Sequence, residues 1–300
     1  MMLLLGLFLG SILLSLWSQP PKRALISNGG FMDQIGDGIG LIELSGPLSF
    51  EMGNSGFNVN TGVDAIIDEI QLLSKDDAVK GLLIRVNSPG GTVGAAQELY
   101  HAIRAFKEEK EGAPVVASIG DMGASGAYYA AMAADAIYAN PGSLVGSIGV
   151  IMGNIKLHEF GDKYGVGFEV YKSGAYKDLM SSWRDSSESE KALIQDLVDD
   201  VHEQFVAALQ ESRSLKKEQA NAIADGRVFS GQQALKHGLV DQLGGFNEAL
   251  AFIGQMSGLG DDPVIIQKST DYFGDFIQLF QTQVSALVPS WTVFPNLQLR

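Results

Sequence analysis

The chain has 300 residues, enough for one large or two ordinary domains with a sizeable hydrophobic core. Hydrophobic residues make up 46% of the chain and charged residues 19%, which excludes an intrinsically disordered protein. A formal net charge of −14 argues against a nucleic-acid partner, and the absence of cysteine excludes thiol nucleophiles, thiolate metal sites and disulfides.

The amino terminus is apolar and uncharged over residues 1–17. A membrane-spanning helix needs roughly 20 apolar residues, and about 17 is the lower limit. The segment 1–18 therefore predicts a membrane anchor or a cleaved signal peptide. The lack of a preceding basic stretch and of a small-residue cleavage site favours the uncleaved anchor. By the positive-inside rule, Lys22 and Arg23 favour a cytoplasmic location for the residues that follow.

After a linker over residues 19–37, strand patterns and helix patterns alternate along the chain. Short apolar runs predict strands over 39–44, 80–86, 114–119, 136–139, 149–152 and 167–171. Apolar residues at helical spacing predict helices over 63–73, 94–107, 126–134 and 187–212. This alternation predicts an α/β fold with a mostly parallel sheet, in one domain over residues 38–258.

The tail over residues 259–300 has no such alternation. Within it, an apolar stripe over 273–287 predicts packing on the domain itself, with a neighbouring chain or a membrane surface as the alternatives.

Ser125 stands among small residues at a predicted strand-to-helix turn. Such neighbours let a substrate backbone approach a hydroxyl, and the N–H groups of a helix start can hold an oxyanion. Ser125 is therefore a candidate nucleophile. A simple N-cap of the following helix is the alternative, and it is the commoner use of a serine in this position.

A nucleophilic serine needs a base, and histidine is the usual one. All four histidines lie in mixed polar stretches typical of the surface: His101, His158, His202 and His237. Lys177 differs, because the Gly, Ala, Tyr, Leu and Met residues around it could desolvate an ammonium and make lysine usable as a base. An ion pair with Asp178, or a plain exposed position, is the alternative for Lys177.

A second glycine-rich turn follows the strand over 80–86, in residues 87–92 (NSPGGT). Proline fixes one backbone angle and the glycines free the next, so that the turn can present N–H groups. Beside a nucleophile these groups would form an oxyanion hole. An ordinary tight strand-to-helix turn is the alternative.

Six motifs in this order carry a family resemblance: 86–91 (VNSPGG), 122–129 (MGASGAYY), 144–150 (LVGSIGV), 172–178 (KSGAYKD), 224–229 (ADGRVF) and 238–244 (GLVDQLG). Together they resemble the short form of the signal peptide peptidase A (SppA) family of Ser-Lys proteases. The resemblance covers residues 39–258. It implies the ClpP/crotonase-like fold, which is built from repeated ββα units.

The resemblance also implies roles for individual residues. Ser125 matches the nucleophile, Lys177 the general base, Ser147 the serine that orients this lysine, and Gly91 the oxyanion-hole glycine. The chain departs from the family over residues 181–184 (SSWR), where family members often have a proline before the arginine.

The function implied by the resemblance is a membrane-anchored serine endopeptidase that degrades released signal peptides and similar apolar peptides. It implies a homo-oligomeric ring in which neighbouring copies supply the serine and the lysine of one site. We expect an extracytoplasmic catalytic domain, because a charge bias of two residues is easily overridden. We expect no cofactor, metal or nucleic acid. The alternatives are a related quality-control protease of membrane proteins (SohB-like), a crotonase-type acyl-CoA enzyme, and a catalytically silent scaffold.

Overall fold

The computed structural model describes residues 23–26, 36–50 and 62–268. Its strands are β1 (Arg23–Ile26), β2 (Gly38–Ser45), β3 (Val79–Ser88), β4 (Val115–Ala124), β5 (Ala136–Ala139), β6 (Leu144–Gly146), β7 (Val228–Ser230), β8 (Gln242–Leu243) and β9 (Val264–Lys268). Its helices are α1 (Val63–Lys75), α2 (Val93–Glu109), α3 (Gly126–Ala131), α4 (His158–Tyr164), α5 (Glu188–Arg213), α6 (Lys217–Ile223), α7 (Gly231–Lys236) and α8 (Phe246–Met256).

The strands form one sheet, in which seven of them follow the order β1-β9-β2-β3-β4-β5-β8 with every pairing parallel. The end of β4 extends past β5 and pairs in parallel with β6, which pairs antiparallel with β7. Parallel neighbours need crossover connections, and helices α1, α2 and α3 supply them between β2, β3, β4 and β5. The predicted α/β architecture with a mostly parallel sheet is confirmed.

The core lies on both faces of the sheet, because successive side chains of a strand point to opposite sides. On one face, Ile42 and Ile84 pack with Leu99 of α2. On the other face, Leu83 packs with Ile253 of α8. Burial of both faces explains why these strands have nearly continuous apolar sequences, and it makes the sheet a rigid platform for the residues that follow its strands.

Most predicted elements are confirmed to within a few residues, but some elements differ. Residues 120–124 continue β4, because β6 offers them a pairing partner, and helix α3 ends at Ala131 rather than at 134. The predicted strands over 149–152 and 167–171 are wrong, because neither segment has a neighbouring strand to pair with. Their apolar side chains are mostly exposed instead.

The sheet extends beyond the two ends of the predicted domain. Strand β9 lies between β1 and β2, although its sequence was part of a tail without a strand pattern, and β1 falls in the predicted linker. The predicted anchor over 1–18 and the apolar stripe over 273–287 lie outside the described residues. Within the described residues, no helix combines the length and the apolar character needed to cross a membrane.

Candidate active site

Two serines lie side by side where neighbouring strands end. Ala124 of β4 is paired in parallel register with Gly146 of β6, so that the next residues, Ser125 and Ser147, leave the sheet at the same edge. Both serines have a backbone φ of +51°. The crevice beyond the carboxyl ends of parallel strands is where ligands bind in open α/β sheets.

The backbone of Ser125 is strained. With φ +51° and ψ −126°, it occupies a region that non-glycine residues rarely adopt. The Ser125 N–H donates to the carbonyl of Gly146 at 2.8 Å, which helps to hold this conformation. Such strain typically costs about 1–3 kcal/mol and persists where the surrounding structure over-determines it, commonly at functional sites.

The N-cap alternative for Ser125 is correct in position only. Ser125 immediately precedes α3, yet its side chain makes no capping hydrogen bond. Its hydroxyl therefore lies half-buried at the edge of a cavity without serving the helix.

The turn at Gly90 and Gly91 packs directly against the start of α3. A Cβ on Gly90 would lie 2.6 Å from the backbone nitrogen of Gly126, and a Cβ on Gly91 would lie 1.8 Å from the carbonyl oxygen of Leu48. Glycine is therefore required at both positions. The turn is fixed by hydrogen bonds from the Leu48 N–H to the Gly90 carbonyl and from the Thr92 N–H to the Leu48 carbonyl, each 2.9 Å long.

This packing places two backbone donors beside Ser125. In the described part of the chain, no hydrogen bond uses the N–H of Gly91. The N–H of Gly126 belongs to the first turn of a helix, where N–H groups have no intrahelical acceptor. Two such donors beside a nucleophile are the components of an oxyanion hole. The sequence motif pointed to Gly91, and the predicted helix start beside Ser125 pointed to nearby N–H groups, of which the structure identifies that of Gly126.

A cavity of about 530 Å³ opens beside Ser125, and Gly91 and Ser147 also line it. Its walls are largely apolar side chains from α2, α3 and α5: Val93, Ala96, Tyr129, Val198, Val201 and Phe205. Tyr129 and Phe205 meet edge to face, with ring centroids 5.0 Å apart. Burial in this wall raises the pKa of the Tyr129 phenol above its ordinary value. The cavity can therefore accept an apolar side chain next to the reactive hydroxyl.

The histidines divide into exposed and half-buried residues. His101 and His237 are exposed, His158 is half-buried, and His202 lines the Ser125 cavity. The His202 Nε2 atom lies 2.7 Å from the carbonyl oxygen of Ala224, which can only accept a hydrogen bond, so Nε2 carries the proton. The sequence signal for this position is the helical spacing of His202 with Val198 and Phe205 on one face of α5.

Within one copy of the chain, Lys177 does not line the Ser125 cavity. Its side chain is exposed, and its backbone N–H donates to the Gly174 carbonyl at 3.2 Å. The ion pair considered for Lys177 and Asp178 is not formed, because the Asp178 carboxylate pairs with Lys172 and Arg184. The structure thus brings Ser125, Ser147 and Gly91 together, and it places Lys177 elsewhere.

Lys177 belongs to an exposed segment, residues 150–187, which lies in sequence between the two parts of the chain that form the folded body. Among these residues, all of which the structure describes, only Gly161 is buried. Large apolar side chains are nevertheless exposed there, including Ile151 at 99%, Tyr171 at 87% and Ile155 at 75%. A contiguous chain segment with this many exposed apolar side chains is typical of an interaction surface.

No group of three or more acidic or histidine side chains in the described residues could hold a metal ion. The groups gathered at this edge of the sheet are the hydroxyls of Ser125 and Ser147, two backbone N–H groups, the His202 imidazole and a largely apolar cavity.

Comparison with known proteins identifies the family. The model of peptidase family S49 matches residues 107–259, just over half of the chain. The chain belongs to peptidase family S49. The matched S49 region contains Ser125, Ser147 and Lys177, whereas Gly91 precedes it.

Several S49-like relatives carry protease names. The chain is 43% identical over 190 residues to a Synechocystis protein named "Putative protease slr0021", a match that covers 63% of this chain and 68% of the relative. It is 36% identical over 203 residues to "Putative signal peptide peptidase SppA" of Enterococcus faecium, covering 68% and 58%. It is 30% identical over 233 residues to "Protease 4" of Haemophilus influenzae, covering 75% and 36%.

Proposed function

We propose that this chain is a serine endopeptidase in which Ser125 is the nucleophile and Lys177 of a second copy is the general base. The observation that carries the proposal is the strained, uncapped Ser125 beside the N–H groups of Gly91 and Gly126. Membership of a peptidase family supports the same chemistry.

The reaction follows from this arrangement. Neutral Lys177 removes the proton from the Ser125 hydroxyl as its oxygen attacks a peptide carbonyl. The N–H groups of Gly91 and Gly126 stabilise the oxyanion of the tetrahedral intermediate. The lysine ammonium then returns the proton to the leaving amine, which departs and leaves an ester on Ser125. Water attacks this ester as Lys177 accepts its proton, and the lysine ammonium then protonates the Ser125 oxygen as the ester bond breaks. The carboxylic acid product is released, with the Ser125 hydroxyl and neutral Lys177 restored.

In this proposal, Ser147 orients the incoming lysine. Its φ of +51° and the hydrogen bond from its N–H to the Arg227 carbonyl, 2.9 Å long, fix it beside Ser125 at the rim of the cavity. A hydroxyl there can accept a hydrogen bond from an ammonium and, after deprotonation, donate one to the amine. Lys177 is the base we propose, because it matches the general base in the family resemblance; His202 donates through Nε2 to the Ala224 carbonyl, which leaves Nδ1 as the proton acceptor of that ring.

A second copy of the chain supplies what one copy lacks. The exposed segment (150–187) carries both Lys177 and a set of unburied apolar side chains. Docking of this segment on a neighbour would bury the apolar surface and bring Lys177 toward the neighbour's Ser125. A repeated head-to-tail contact forms a ring when the rotation between neighbours closes, and a closed ring is the assembly we propose.

The substrates we propose are apolar peptides, of which released signal peptides are the leading class. The apolar walls of the cavity favour leucine-like and alanine-like side chains next to the scissile bond. We further propose that residues 1–18 anchor the protein in the membrane, with the catalytic domain outside the cytoplasm, and that the fold is of the ClpP/crotonase-like type.

The test is covalent labelling of the full chain by a fluorophosphonate probe, together with hydrolysis of a Leu- and Ala-rich fluorogenic peptide. We expect Ser125→Ala to abolish labelling, and Ser125→Ala and Lys177→Ala each to lower kcat/KM by about 10³-fold or more at an unchanged Tm. Ser212→Ala is the matched control, since its hydroxyl only donates to the Ala208 carbonyl within α5. The proposal would be refuted if Ser125→Ala were labelled as strongly as the wild type, or if Lys177→Ala cleaved the peptide at the wild-type rate. Acyl-CoA turnover without labelling would indicate the crotonase-type alternative.

A further inference from the structure

A four-residue ionic cluster lies next to Lys177 in the exposed segment. The Arg184 guanidinium donates through Nε and Nη2 to the two carboxylate oxygens of Asp178, at 2.9 and 2.8 Å. The same guanidinium donates through Nη1 and Nη2 to both oxygens of Glu190, at 2.8 and 2.5 Å. The fourth member, Lys172, donates to Asp178 at 2.8 Å. Two cations and two anions make the cluster neutral.

Glu190 fixes one end of this cluster to the folded body. It lies in the first turn of α5, and its side chain is 5% exposed. Its carboxylate also accepts a hydrogen bond from the N–H of Ser187 at 2.7 Å, while the Ser187 hydroxyl accepts one from the N–H of Glu190. This reciprocal capping box holds the Glu190 carboxylate at the start of a 26-residue helix, where a negative charge is favourable.

The other end of the cluster closes the loop that carries Lys177. Lys172 Nζ donates to the Ala175 carbonyl at 2.9 Å as well as to Asp178, so it ties together both ends of the loop 172–178. Arg184 then connects Asp178 to Glu190. The loop has no buried apolar side chain of its own, so these polar contacts are what fixes its position.

The cluster also engages both oxygens of the carboxylate nearest to Lys177 in sequence. In the described residues, Lys177 makes no ion pair, although Asp178 is its immediate neighbour. An ammonium paired with a carboxylate is stabilised in its charged form and is a poorer base. Arg184 holds the pKa of the Asp178 carboxyl well below its usual range, with a further contribution from Lys172.

We propose that Arg184 is a positioning residue for the general base: it links the Lys177 loop to the capped start of α5 and keeps the Asp178 carboxylate from pairing with Lys177. The catalytic part of this inference rests on the proposed function, in which Lys177 is the base. The structural part, that Arg184 orders the loop 172–178, stands on the contacts alone.

The catalytic test compares Arg184→Gln with the wild type in the full chain, using the Leu- and Ala-rich fluorogenic peptide. We expect kcat to fall by roughly 10- to 100-fold, with KM changed by less than about threefold, since the substrate cavity is untouched. We also expect the acid limb of kcat/KM against pH to move to higher pH by about 0.5–1 unit, because the released Asp178 carboxylate stabilises a neighbouring ammonium. Adding Asp178→Asn to Arg184→Gln should move this limb back toward the wild-type position.

Two other arginines provide controls. Arg104 forms an exposed 3.5 Å pair with Glu211 at the far end of α5, so Arg104→Gln should leave kcat and the pH profile unchanged. The side chain of Arg213 is 8% exposed and paired with Asp241 in the folded body, so Arg213→Gln should lower Tm without moving the acid limb. If Arg184→Gln behaved like either control, the catalytic part of the inference would be overturned.

A separate readout tests the structural part even if the peptidase proposal fails. A protease that cleaves only after lysine attacks the loop at Lys172 and Lys177, and its target sites survive the substitution at Arg184. With cleavage counted by mass spectrometry only at the bonds after Lys172 and Lys177, we expect Arg184→Gln to accelerate it by about fivefold or more. Arg184→Lys, whose added lysine is a further cleavage site and is left out of the count, should recover less than half of the protection, because an ammonium cannot bridge two carboxylates in the bidentate manner of a guanidinium. Equal cleavage rates in Arg184→Gln and the wild type would refute the ordering role. If peptide hydrolysis by the wild-type protein did not depend on Ser125, only the proposed function would be refuted.

Discussion

In both the folded body and the exposed segment an arginine pairs with carboxylates, but the packing around the two arginines differs. In the body, Arg213 donates to both oxygens of Asp241 and to the Gly238 carbonyl, and Asp241 also accepts a hydrogen bond from the Ile137 N–H. There the ion pair is added to a core that packs both faces of a sheet. In the exposed segment, Arg184 connects parts of the chain that have almost no core between them. The body is held by its own packing, whereas the segment is held by polar contacts and leaves its apolar side chains unburied.

In the proposed reaction, the nucleophile lies in the folded body and the base in the exposed segment. The strained backbone of Ser125 needs a rigid surrounding structure, and the strands β3, β4 and β6 with helix α3 provide it. In the proposed reaction, Lys177 enters the site of another copy, and an exposed segment can do so. The comparison therefore indicates that the proposed nucleophile and the proposed base are held by different kinds of contact, so that each can be disturbed without the other.

The largest effect is expected from charge on the apolar surface of the exposed segment. The double variant Ile155→Asp/Tyr171→Asp should dissociate the proposed assembly, because two carboxylates would have to be buried at the interface that we propose between copies. Peptide hydrolysis should fall by about 10³-fold with it, as after loss of a catalytic group. Light scattering measures the mass, and thermal unfolding of the body should stay unchanged.

Leu72→Asp is the matched control for this prediction. Leu72 is 51% exposed on α1 of the body, so the same substitution there should leave both mass and activity as in the wild type. A double variant that kept the wild-type mass and activity would show that the exposed segment does not form the interface.

The second largest effect is expected from a substitution in the glycine turn of the folded body, which should lower activity without changing assembly. In Gly91→Ala, the new methyl group would lie 1.8 Å from the Leu48 carbonyl oxygen, so that the turn must move away from Gly126. We expect hydrolysis to fall by about 10²- to 10³-fold, as when an oxyanion donor is lost, while the mass of the assembly is unchanged.

Gly94→Ala, three residues further on, provides the contrast. A Cβ at Gly94 would meet only a ring carbon of Phe50, at 3.8 Å, and alanine favours a helix over glycine by up to about 1 kcal/mol. This variant should retain activity and unfold at an equal or higher temperature. Equal activity of the two alanine variants would refute the role given to the glycine turn.

The smallest expected effect is the opening of the ionic cluster around Arg184 at low pH. Arg184, together with the Ser187 N–H, lowers the pKa of Glu190 to about 2, and the pKa of Asp178 is also lowered. A carboxyl group with a lowered folded-state pKa contributes stability above its ordinary value, and loses that contribution as the pH falls through the lowered value. The cluster should therefore persist at pH 5 and open between about pH 4.5 and 2.

Trp183 reports on this transition, because it precedes Arg184 and stacks on Phe168 with ring centroids 5.7 Å apart. In a Trp17→Phe/Trp291→Phe background, its emission should shift to longer wavelength over that pH range. Glu190→Gln should show part of the shift already at pH 7. Emission that stays constant until the body unfolds would contradict the prediction.

Much of the body could be predicted from sequence, because its strands bury both faces and are continuously apolar. The start of α5 was also predicted to within one residue, since the helix pattern began at 187 and the helix itself begins at Glu188. The strands predicted over 149–152 and 167–171 failed for an instructive reason. An apolar run shows that a segment needs burial, but not whether its partner belongs to the same chain.

The site could be predicted in part. Small residues around Ser125 and the glycine turn marked the nucleophile and one backbone donor, and the strand ends explain why they meet. The contact of the glycine turn with the start of α3 depends on packing between distant segments, and the ion pairs of Arg184 depend on how an irregular loop folds back. No local pattern contains that information.

The most direct test of a site shared between two copies is complementation. Ser125→Ala and Lys177→Ala chains, each inactive alone, are mixed in equal amounts, dissociated and reassembled. If one copy supplies the serine and its neighbour the lysine, random assembly should restore about one quarter of the wild-type activity, because one interface in four pairs an intact serine with an intact lysine. If each site is built within a single chain, the mixture will remain as inactive as its components, and that result would contradict the account.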